Sequence, residues 1–484
     1  MAKKMSISVL DLLTKIPASD VEIDPSEINL NLLKKFDRHG PRYTSYPTAD
    51  RFVEAFNAAT YTVQAGKRNI GGIHRPLSIY AHIPFCNTLC FYCACNKIIT
   101  KNRAPAEKYL SYLQRELVMQ AALFQDQLLV EQLHLGGGTP TFFSDQQLRT
   151  LMESVQRNFI LVPNGEYSIE IDPRSVADST IPALRAMGFN RLSIGVQDFD
   201  QEVQQAVHRI QSEEETLKVI NTARREGFKS ISIDLIYGLP KQTTEKFSLT
   251  LDKIIDANPD RISLFNYAHL PHLFKPQRRI QDQDLPTPEI KLEILRMAIK
   301  KLTRANYVYI GMDHFAKAND ELTIAQQQGR LHRNFQGYSA HANCDLIGLG
   351  VSAIGNIGAA YSQNYRTLEE YYDHLDQGTL PIMRGLVLNM EDLLRRSIIQ
   401  SLMCHFELSM DAIETAYPID FKSHFSAELI ELQEHARAGL LNIKDGWITI
   451  TPKGRLLIRS ICMVFDQHLR ADKAREQQRY SKVI

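Results

Sequence analysis

Short apolar runs alternate with longer amphipathic stretches through the middle of the 484-residue chain. In the stretch that begins at Ala106, apolar residues recur every four positions, at Tyr109, Leu113, Leu117 and Ala121, which predicts a helix with one buried face. The short runs predict six strands, which begin at Leu77 (LSIYAHI), Glu131 (EQLHLG), Tyr167 (YSIEID), Arg191 (RLSIGV), Ser230 (SISIDLIYG) and Arg261 (RISLFNYA). Because strands that alternate with helices favour a parallel sheet, the pattern predicts an α/β fold with a partial barrel of six strands and six helices.

Turn and capping residues separate these elements. Ser144 followed by Asp145 is a typical helix start, and Asn258 with Pro259 marks a stop before the next strand. In barrels of this kind, functional residues gather at the carboxyl ends of the strands. We therefore expect the site where these strands end.

The two ends of the chain lack this alternation. Residues 1–50 predict an ordered arm, and residues 51–370 predict the barrel with its extensions. Residues 371–484 predict a mainly α-helical, winged-helix-like cap with a hairpin that turns at Lys444–Asp445–Gly446. Winged helices often bind DNA, but this segment has 14 Lys and Arg against 15 Asp and Glu, so it lacks a basic footprint.

The overall composition limits the cellular location and the classes of binding partner that the chain can have. The whole chain has 56 Lys and Arg against 55 Asp and Glu, which argues against nucleic acid or an anionic membrane as partner. No apolar run approaches the length of a membrane span. The amino-terminal apolar run is interrupted by Asp11 and lacks a cleavage pattern, which predicts a cytoplasmic protein. Cys344, Cys404 and Cys462 are scattered singly, which predicts small core residues.

Four cysteines, Cys86, Cys90, Cys93 and Cys95, lie within ten residues, and the first three have the spacing C-x3-C-x2-C. Three thiolates can ligate three irons of a four-iron cluster and leave the fourth iron open, which is typical of a catalytic metal position. A closed zinc site with Cys95 or His82 as fourth ligand is the alternative. Zinc modules usually combine two separated half-sites, and no second half-site follows here.

The cysteine motif resembles the signature of the radical S-adenosylmethionine (SAM) enzymes. Its extension to Cys95 is similar to the oxygen-independent coproporphyrinogen III oxidases. The resemblance continues over almost the whole chain, in GPRYTSYPT from Gly40, HLGGGTPT from His134, IEIDPR from Ile169, RLSIGVQDF from Arg191, IDLIYGLPKQT from Ile233, LFNYAHLP from Leu264, GMDHFA from Gly311 and HRNFQGY from His332.

This resemblance implies a [4Fe-4S] cluster on Cys86, Cys90 and Cys93, with Cys95 outside the ligand set. It also implies that a 5′-deoxyadenosyl radical derived from SAM converts coproporphyrinogen III to protoporphyrinogen IX by oxidative decarboxylation, in haem biosynthesis. The reaction needs an external electron donor and acceptor. We expect a monomer.

The resemblance assigns a first SAM molecule to Tyr80, Gly137, Glu170 and Ile354. Side chains are absent from Gly136 to Gly138, so backbone groups can approach a ligand there, although a tight turn or a phosphate loop are alternatives. Glu170 and Asp172 share one face of their strand. The alternative for Glu170 is an ion pair with Arg174 or Arg191.

The resemblance also implies a second SAM molecule beside the first. The matching positions are Tyr92, Gly138, Thr139, Gln197, Arg209, Asp234 and Ala268. Arginine suits a carboxylate, and aspartate suits hydroxyl or ammonium groups. A buried ion pair of Arg209 or Asp234 is the alternative.

The substrate that the resemblance implies has four propionate groups, which cationic side chains such as arginine would bind. Arg42 in the arm is the candidate, and Tyr43 and Tyr46 are expected to lie beside the macrocycle. The alternative is that Arg42 and the tyrosines tie the arm to the barrel. Four further positions are ambiguous between substrate contact and structure: His314, His332, Gln336 and Tyr338.

Two rival functions share the cysteine triplet. One is a related haem chaperone that binds haem for delivery, which we expect to lack Cys95 and the PRYTSYPT arm. The other is a different radical SAM enzyme, such as a methyltransferase that acts on a planar substrate.

Overall fold

The computed structural model describes residues 30–36, 38–68, 75–124 and 128–472. The predictions for residues 1–29, including the lack of a signal peptide, and for residues 473–484 of the cap lie outside the described residues. Among the helices of the described ranges, none is both long and apolar enough to cross a lipid bilayer.

Nineteen strands run through the described residues. They are β1 Leu77–Ile83, β2 Phe85–Cys86, β3 Ile98–Ile99, β4 Leu129–Gly137, β5 Ile160–Ile171, β6 Arg191–Gln197, β7 Ser230–Tyr237, β8 Arg261–Asn266, β9 Tyr307–Gly311, β10 His314–Lys317, β11 His332–Asn334, β12 Gly337–Ser339, β13 Asp345–Leu349, β14 Ile354–Ile357, β15 Ala360–Asn364, β16 Ile382–Val387, β17 Glu407–Ser409, β18 Leu441–Lys444 and β19 Trp447–Ile450.

The same described ranges hold eighteen α-helices. They are α1 Leu30–Phe36, α2 Ala58–Arg68, α3 Ala104–Ala121, α4 Asp145–Asn158, α5 Thr180–Ala186, α6 Gln201–Ala206, α7 Glu213–Arg225, α8 Thr244–Ala257, α9 Pro288–Arg304, α10 Glu321–Gln327, α11 Leu368–Asp376, α12 Met390–His405, α13 Met410–Ala416, α14 Phe421–His424, α15 Ser426–Arg437, α16 Pro452–Arg455, α17 Ile458–Cys462 and α18 Gln467–Asp472.

The six predicted strands are confirmed as β1, β4, β5, β6, β7 and β8. They lie side by side in this order, and each pairs with the next in parallel. One or two helices, α3 to α8, connect each strand to its neighbour, as the right-handed crossover of a parallel sheet requires. The fold is therefore an α/β partial barrel, and the carboxyl ends of its strands lie at one mouth.

The connecting helices begin and end where the sequence predicts. α3 buries Tyr109, Leu113 and Leu117 on the face that the four-residue period indicates. Ser144 caps α4 in a capping box, and α8 ends at Asn258, which has the left-handed conformation common after a helix.

The large sheet extends beyond the predicted six strands. Its order is β16-β15-β14-β13-β1-β4-β5-β6-β7-β8-β10-β9, so β13 adds a further parallel strand beside β1. Antiparallel hairpins lengthen both edges, and β16 lies in this sheet although the predicted cap includes its residues. After α12, a smaller antiparallel sheet of β17, β19 and β18 forms, with the predicted turn between β18 and β19.

The described part of the amino-terminal arm packs on the last helices of the chain. The hydroxyl of Tyr43 donates to Oδ2 of Asp466 at 3.0 Å, and the hydroxyl of Tyr46 accepts from the backbone N–H of Gln467 at 3.2 Å. Both tyrosine side chains are fully buried. The contacts therefore support a role in tying down the arm, and the place of the two rings beside a macrocycle stays a prediction.

Candidate cluster and cofactor site

The cysteine loop leaves the carboxyl end of β1 and is closed at its base by a small parallel pair of strands. Phe85 pairs with Ile98, and the backbone N–H of Ile98 donates to the carbonyl of Pro84 at 2.7 Å. Residues 87–97 lie between these strands and carry three of the four cysteines, while Cys86 lies on β2 itself. The loop is thereby held at the barrel mouth.

A cavity of about 620 Å³ opens at this mouth. All four clustered cysteines line it. The other sequence-predicted residues in its wall are Tyr92, Gly137, Gly138, Thr139, Glu170, Gln197, Arg209 and Asp234. Strands β4, β5, β6 and β7 and the loops after them therefore bring together most of the predicted site.

The glycine loop after β4 packs directly against the cysteine loop. Gly138 donates its N–H to the carbonyl of Ile83 at 2.8 Å, and a Cβ at Gly138 would lie 2.7 Å from the carbonyl oxygen of Pro84. The hydroxyl of Thr139 donates to Sγ of Cys86 at 3.5 Å. Only glycine allows this approach, which joins the two loops into one wall.

Cationic groups surround the buried thiol of Cys90. Its Sγ atom accepts from Nη1 of Arg209 at 3.7 Å and from Nη2 of Arg174 at 3.8 Å, and the Tyr92 hydroxyl also hydrogen-bonds to it. The Nε atom of Arg209 is buried without a partner. Because an iron-sulfur cluster carries negative charge on its sulfurs, this set of donors fits such a cluster.

Asp172 balances the two arginines. Its carboxylate bonds to Nη2 of Arg174 at 2.6 Å and to Nη1 of Arg209 at 3.3 Å. Burial alone would raise the pKa of Asp172, but Arg209 and Arg174 hold the pKa below its usual value. The buried ion pair that was the alternative for Arg209 is therefore present. Arg209 also lines the cavity.

The pKa values of the other two thiols of the triplet shift in opposite directions. A hydrogen bond with Cys95, supported by Lys97, lowers the pKa of Cys93 to about 6 despite burial, whereas burial raises the pKa of Cys86 to about 11. Lys97 also fixes the loop, since its Nζ atom donates to the carbonyls of Cys93 and Cys95 at 3.0 and 3.2 Å. Cys95 therefore acts on Cys93 through a hydrogen bond.

Glu170 faces the glycine loop from β5. Its Oε2 atom accepts from the backbone N–H of Gly137 at 3.0 Å, and its Oε1 atom lies 3.2 Å from Nε2 of His134. Arg174 pairs with Asp172 instead, and Arg191 pairs with other acids. The alternative of an arginine pair for Glu170 is therefore wrong. Burial raises the pKa of Glu170, but the hydrogen bonds from His134 and Gly137 lower it by more. The net pKa is below the usual value, so the group is a carboxylate.

Asp234 lies deeper in the cavity, on β7. It accepts a hydrogen bond from Ser193 at 3.1 Å, and burial together with the charge of Glu170 raises its pKa to about 6. At the end of β6, Gln197 has φ 70°, an uncommon conformation for a residue with a side chain. Such strained positions are frequent at functional sites.

Three predicted SAM residues lie just outside the cavity wall. Tyr80 stacks on His134, with ring centroids 5.8 Å apart, and pairs with Gly348 across the β1–β13 register. The backbone of Ile354 packs against Gly348, where a Cβ would come within 2.7 Å of it. Ala268 is tied to the cysteine loop, because Nε2 of Gln277 donates both to its carbonyl and to that of Tyr92, at 3.2 and 3.1 Å.

Arg42 lies at the rim of the barrel. It forms an ion pair with Asp313, and its guanidinium carbon is 5.8 Å from the ring centroid of Phe265, which lines the cavity. The side chain of Arg42 is 34% exposed, so it remains open to a ligand.

A second cavity of about 200 Å³ continues into the barrel and shares Glu170, Ser193, Asp234 and Phe265 with the first. Among the ambiguous residues, His314, Gln336 and Tyr338 line it, whereas His332 lies outside the linings of both cavities. The Nδ1 atom of His314 and the Nε2 atom of Gln336 are buried without a partner.

Sequence reasoning missed two residues that hold the site together. His134 positions Glu170, and Phe265 lines both cavities and contacts the guanidinium of Arg42. Both belong to motifs that were recognised, HLGGGTPT and LFNYAHLP, and both lie on strands whose alternation places them toward the barrel interior. That alternation is the signal that could have found them.

Two domain families match parts of the chain. The Radical SAM superfamily matches residues 80–254, which include the three-cysteine motif, and the HemN C-terminal domain matches residues 388–457.

Full-length relatives match almost the whole chain. The oxygen-independent coproporphyrinogen III oxidase of Pseudomonas aeruginosa is 50% identical over 464 residues, which cover 96% of this chain and 100% of that protein. The protein of the same name from Escherichia coli K12 is 49% identical over 456 residues, covering 94% and 98%. The solved structure of coproporphyrinogen III oxidase (HemN) from Escherichia coli, described as a radical SAM enzyme, matches with a TM-score of 0.87 and 48% identity, covering 91% of this chain and 99% of that chain.

Proposed function

Because the chain belongs to the oxygen-independent coproporphyrinogen III oxidases of the radical SAM superfamily, we propose that Cys86, Cys90 and Cys93 ligate its [4Fe-4S] cluster. The observation that carries this proposal is the common cavity into which these thiols, the glycine loop and Glu170 face. Donors from Thr139, Arg174 and Arg209 to the sulfurs of Cys86 and Cys90 support it.

The protein is an oxidoreductase of porphyrin and haem biosynthesis that converts coproporphyrinogen III to protoporphyrinogen IX. When bound, the cluster and SAM would supply the chemistry of a 5′-deoxyadenosyl radical, which is what removal of a hydrogen atom from a propionate side chain needs. Loss of carbon dioxide and of one electron to an external acceptor then leaves a vinyl group. Two propionates react in this way. The relatives are named as oxidases, so the haem chaperone is not the favoured alternative.

Around the first SAM molecule, Glu170 supplies the main polar contact. As a half-buried carboxylate that lines the cavity, it can accept hydrogen bonds from hydroxyl or ammonium groups, and the backbone of Gly137 approaches the ligand without a side chain. Tyr80 and Ile354 support this wall from β1 and β14.

A second SAM molecule binds beside the first in this proposal. Its contacts are Tyr92, Gly138, Thr139, Gln197, Arg209, Asp234 and Ala268. The unpartnered Nε atom of Arg209 supports a carboxylate ligand there, since a buried guanidinium N–H without an acceptor is costly. A cavity of about 620 Å³ also exceeds the lower range of small-molecule pockets, about 300 Å³.

For the substrate, we assign Arg42 to one propionate. Its half-buried guanidinium and its place beside Phe265, which lines the cavity, support this assignment. A monomer, a cytoplasmic location and external electron donors and acceptors complete the proposal. The cytoplasm is supported by the need of the cluster for reduced thiols.

We also propose the organisation of the chain into an arm (1–50), a barrel (51–370) and a cap (371–484). Because the large sheet includes β16, and the HemN C-terminal domain match begins at residue 388, the border of the cap is better set near residue 388.

The test is an anaerobic assay with reconstituted protein, SAM, reductant, coproporphyrinogen III and cell extract as the source of an acceptor. We expect release of carbon dioxide and protoporphyrin fluorescence. Stoichiometric haem binding without decarboxylation would overturn the function.

A further inference from the structure

A second group of metal-binding side chains lies at the opposite end of the barrel from the cysteine loop. Among the described residues, Glu131, His341 and Cys344 each place one ligand atom within 4.8 Å of the others. Oε2 of Glu131 is 2.9 Å from Nδ1 of His341 and 3.6 Å from Sγ of Cys344. Cys344 is half-buried, so its expected role as an apolar core residue is wrong, whereas Cys404 and Cys462 are fully buried as predicted.

A β-bulge directs Glu131 to this place. Val130 and Gln132 pair with both neighbouring strands, β1 and β5, whereas Glu131 between them pairs with neither. Bulges of this kind change the direction of a side chain and are frequent near functional sites. The pairing of β4 with both β1 and β5 is therefore interrupted at Glu131, the residue whose carboxylate hydrogen-bonds to both His341 and Cys344.

The other two residues lie on a turn that is fixed to β4. The N–H of Cys344 donates to the carbonyl of His341 at 3.4 Å, and the N–H of His341 donates to Oγ of Ser339 at 3.0 Å. Ser339 in turn donates to Oε1 of Gln132 at 3.2 Å. The spacing His-x2-Cys on an anchored turn thus presents both ligand atoms to the same point.

An outer carboxylate faces the remaining nitrogen of His341. Oε2 of Glu166 lies 3.6 Å from Nε2 of His341, and Arg191 and Arg261 keep Glu166 ionised by lowering its pKa against the effect of burial. Histidines that bind metals commonly have such a partner on the second nitrogen, which fixes the ring and its tautomer.

We infer that Glu131, His341 and Cys344 form a site for a borderline-soft divalent cation of the zinc type, with water as fourth ligand. Imidazole, thiolate and carboxylate together suit zinc, whereas magnesium and calcium prefer oxygen ligands alone. A tetrahedron with metal–ligand distances of about 2.0 Å to N and O and about 2.3 Å to S has edges of about 3.3 to 3.5 Å, close to the two separations from Glu131, 2.9 and 3.6 Å. The thiolate and carboxylate also match the charge of the ion.

This site is separate from the cluster site. Strand β4 runs from the bulge to the glycine loop, and six residues of strand span about 20 Å. A bound cation would pin the turn before β13 to β4 and stabilise the chain by binding only the folded state. The side chains of His341 and Glu131 are 23% and 38% exposed, which leaves a path for the ion.

The test uses the holoenzyme with its reconstituted cluster, dialysed against Zn²⁺ buffered by a weak chelator, followed by measurement of zinc and iron per chain. We expect one zinc per chain in the unsubstituted protein. In His341→Gln and Cys344→Ser we expect the affinity for zinc to fall by at least about tenfold. His374→Gln, a half-buried histidine elsewhere, should retain zinc. Equal iron content in all variants shows that they are folded and that the cluster site is separate.

Two results would overturn the inference: an unsubstituted enzyme that retains no zinc, or zinc retention that is unchanged when both ligands are replaced. Zinc X-ray absorption of the unsubstituted holoenzyme decides the question without any variant. One sulfur in the first shell is expected, and a shell of nitrogen and oxygen alone would contradict the site.

Discussion

The Nη1 atom of Arg209 lies 3.7 Å from the Sγ atom of Cys90. The residue that we assign to the second SAM molecule therefore also bonds to a thiol that we assign to the cluster. Arg174 approaches the same sulfur at 3.8 Å, but both its Nε and Nη2 atoms bond to Asp172. The sulfur of Cys90 thus has two cationic neighbours: Arg209, which we also assign to SAM, and Arg174, which is held by Asp172.

Replacing either arginine should lower the reduction potential of the cluster, because hydrogen bonds and positive charge near the sulfurs favour the reduced state. For Arg209→Met and Arg174→Met we expect shifts on the order of 50 mV, about tenfold in the reduction equilibrium. Redox titration followed by electron paramagnetic resonance measures this shift. Only Arg209→Met should also reduce the number of SAM molecules bound, and equal SAM binding in both variants would contradict the assignment of Arg209.

Gly138→Ala should prevent cluster assembly. The added Cβ would lie 2.7 Å from the carbonyl carbon and oxygen of Pro84, which are backbone atoms that cannot move aside without displacing the cysteine loop. Iron content after reconstitution measures the effect. The control is Gly66→Ala in α2, where a Cβ has no atom within 4 Å, and we expect full iron content and stabilisation by about 0.5 to 1 kcal/mol. Full iron in Gly138→Ala would show that the loops do not depend on this approach.

Glu170→Gln should weaken SAM binding and leave the cluster intact. Hydrogen bonds to a charged group contribute about 1.5 to 3 kcal/mol, so we expect the dissociation constant of SAM to rise by about tenfold to a hundredfold. Equilibrium dialysis of reconstituted protein measures it, with the exposed Glu153→Gln as control. An unchanged dissociation constant with normal iron content would remove Glu170 from the SAM site.

Glu116 gives the folded state a pH dependence. The carboxyl is fully buried in α3 and accepts hydrogen bonds from the N–H of Gly350, the hydroxyl of Tyr371 and the amide of Asn364 at 2.6 to 2.7 Å. Burial outweighs these donors and raises its pKa to about 7 from the ordinary 4.5. Because the folded state binds this proton more tightly than the unfolded state, stability should fall as pH rises from about 4.5 to about 7.

The contribution of Glu116 has an upper limit of about 3 kcal/mol over this range. In Glu116→Gln the titrating group is absent, so the melting temperature should fall less between about pH 5 and about pH 7 than in the unsubstituted protein, whatever its absolute value. Identical pH slopes of the two proteins would show that Glu116 does not titrate in this range.

Most of the barrel could be predicted from sequence because its strands alternate with long amphipathic helices. The period of α3, the cap at Ser144 and the stop at Asn258 are local signals, and each was correct. The strands β9, β10 and β13 to β16 were missed because they are four to six residues long and most are joined by tight turns, where periodicity is too short to be decisive.

The site could be predicted only where a motif marks it. Local sequence placed the cysteines, the glycine loop and Glu170 at strand ends. By contrast, the pairing of His134 with Glu170 and the burial of Glu116 against Tyr371 depend on contacts between distant segments. The bulge at Glu131 is likewise invisible in sequence, because the register of β4 is set by both of its neighbours.

The most direct test of the central claim compares iron content and Mössbauer spectra of Cys90→Ala and Cys95→Ala after anaerobic reconstitution. Both residues line the cavity, but only Cys90 belongs to the proposed ligand set, while Cys95 hydrogen-bonds to Cys93. We expect Cys95→Ala to assemble a full four-iron cluster and Cys90→Ala to lose it. A full four-iron spectrum in Cys90→Ala would contradict the account.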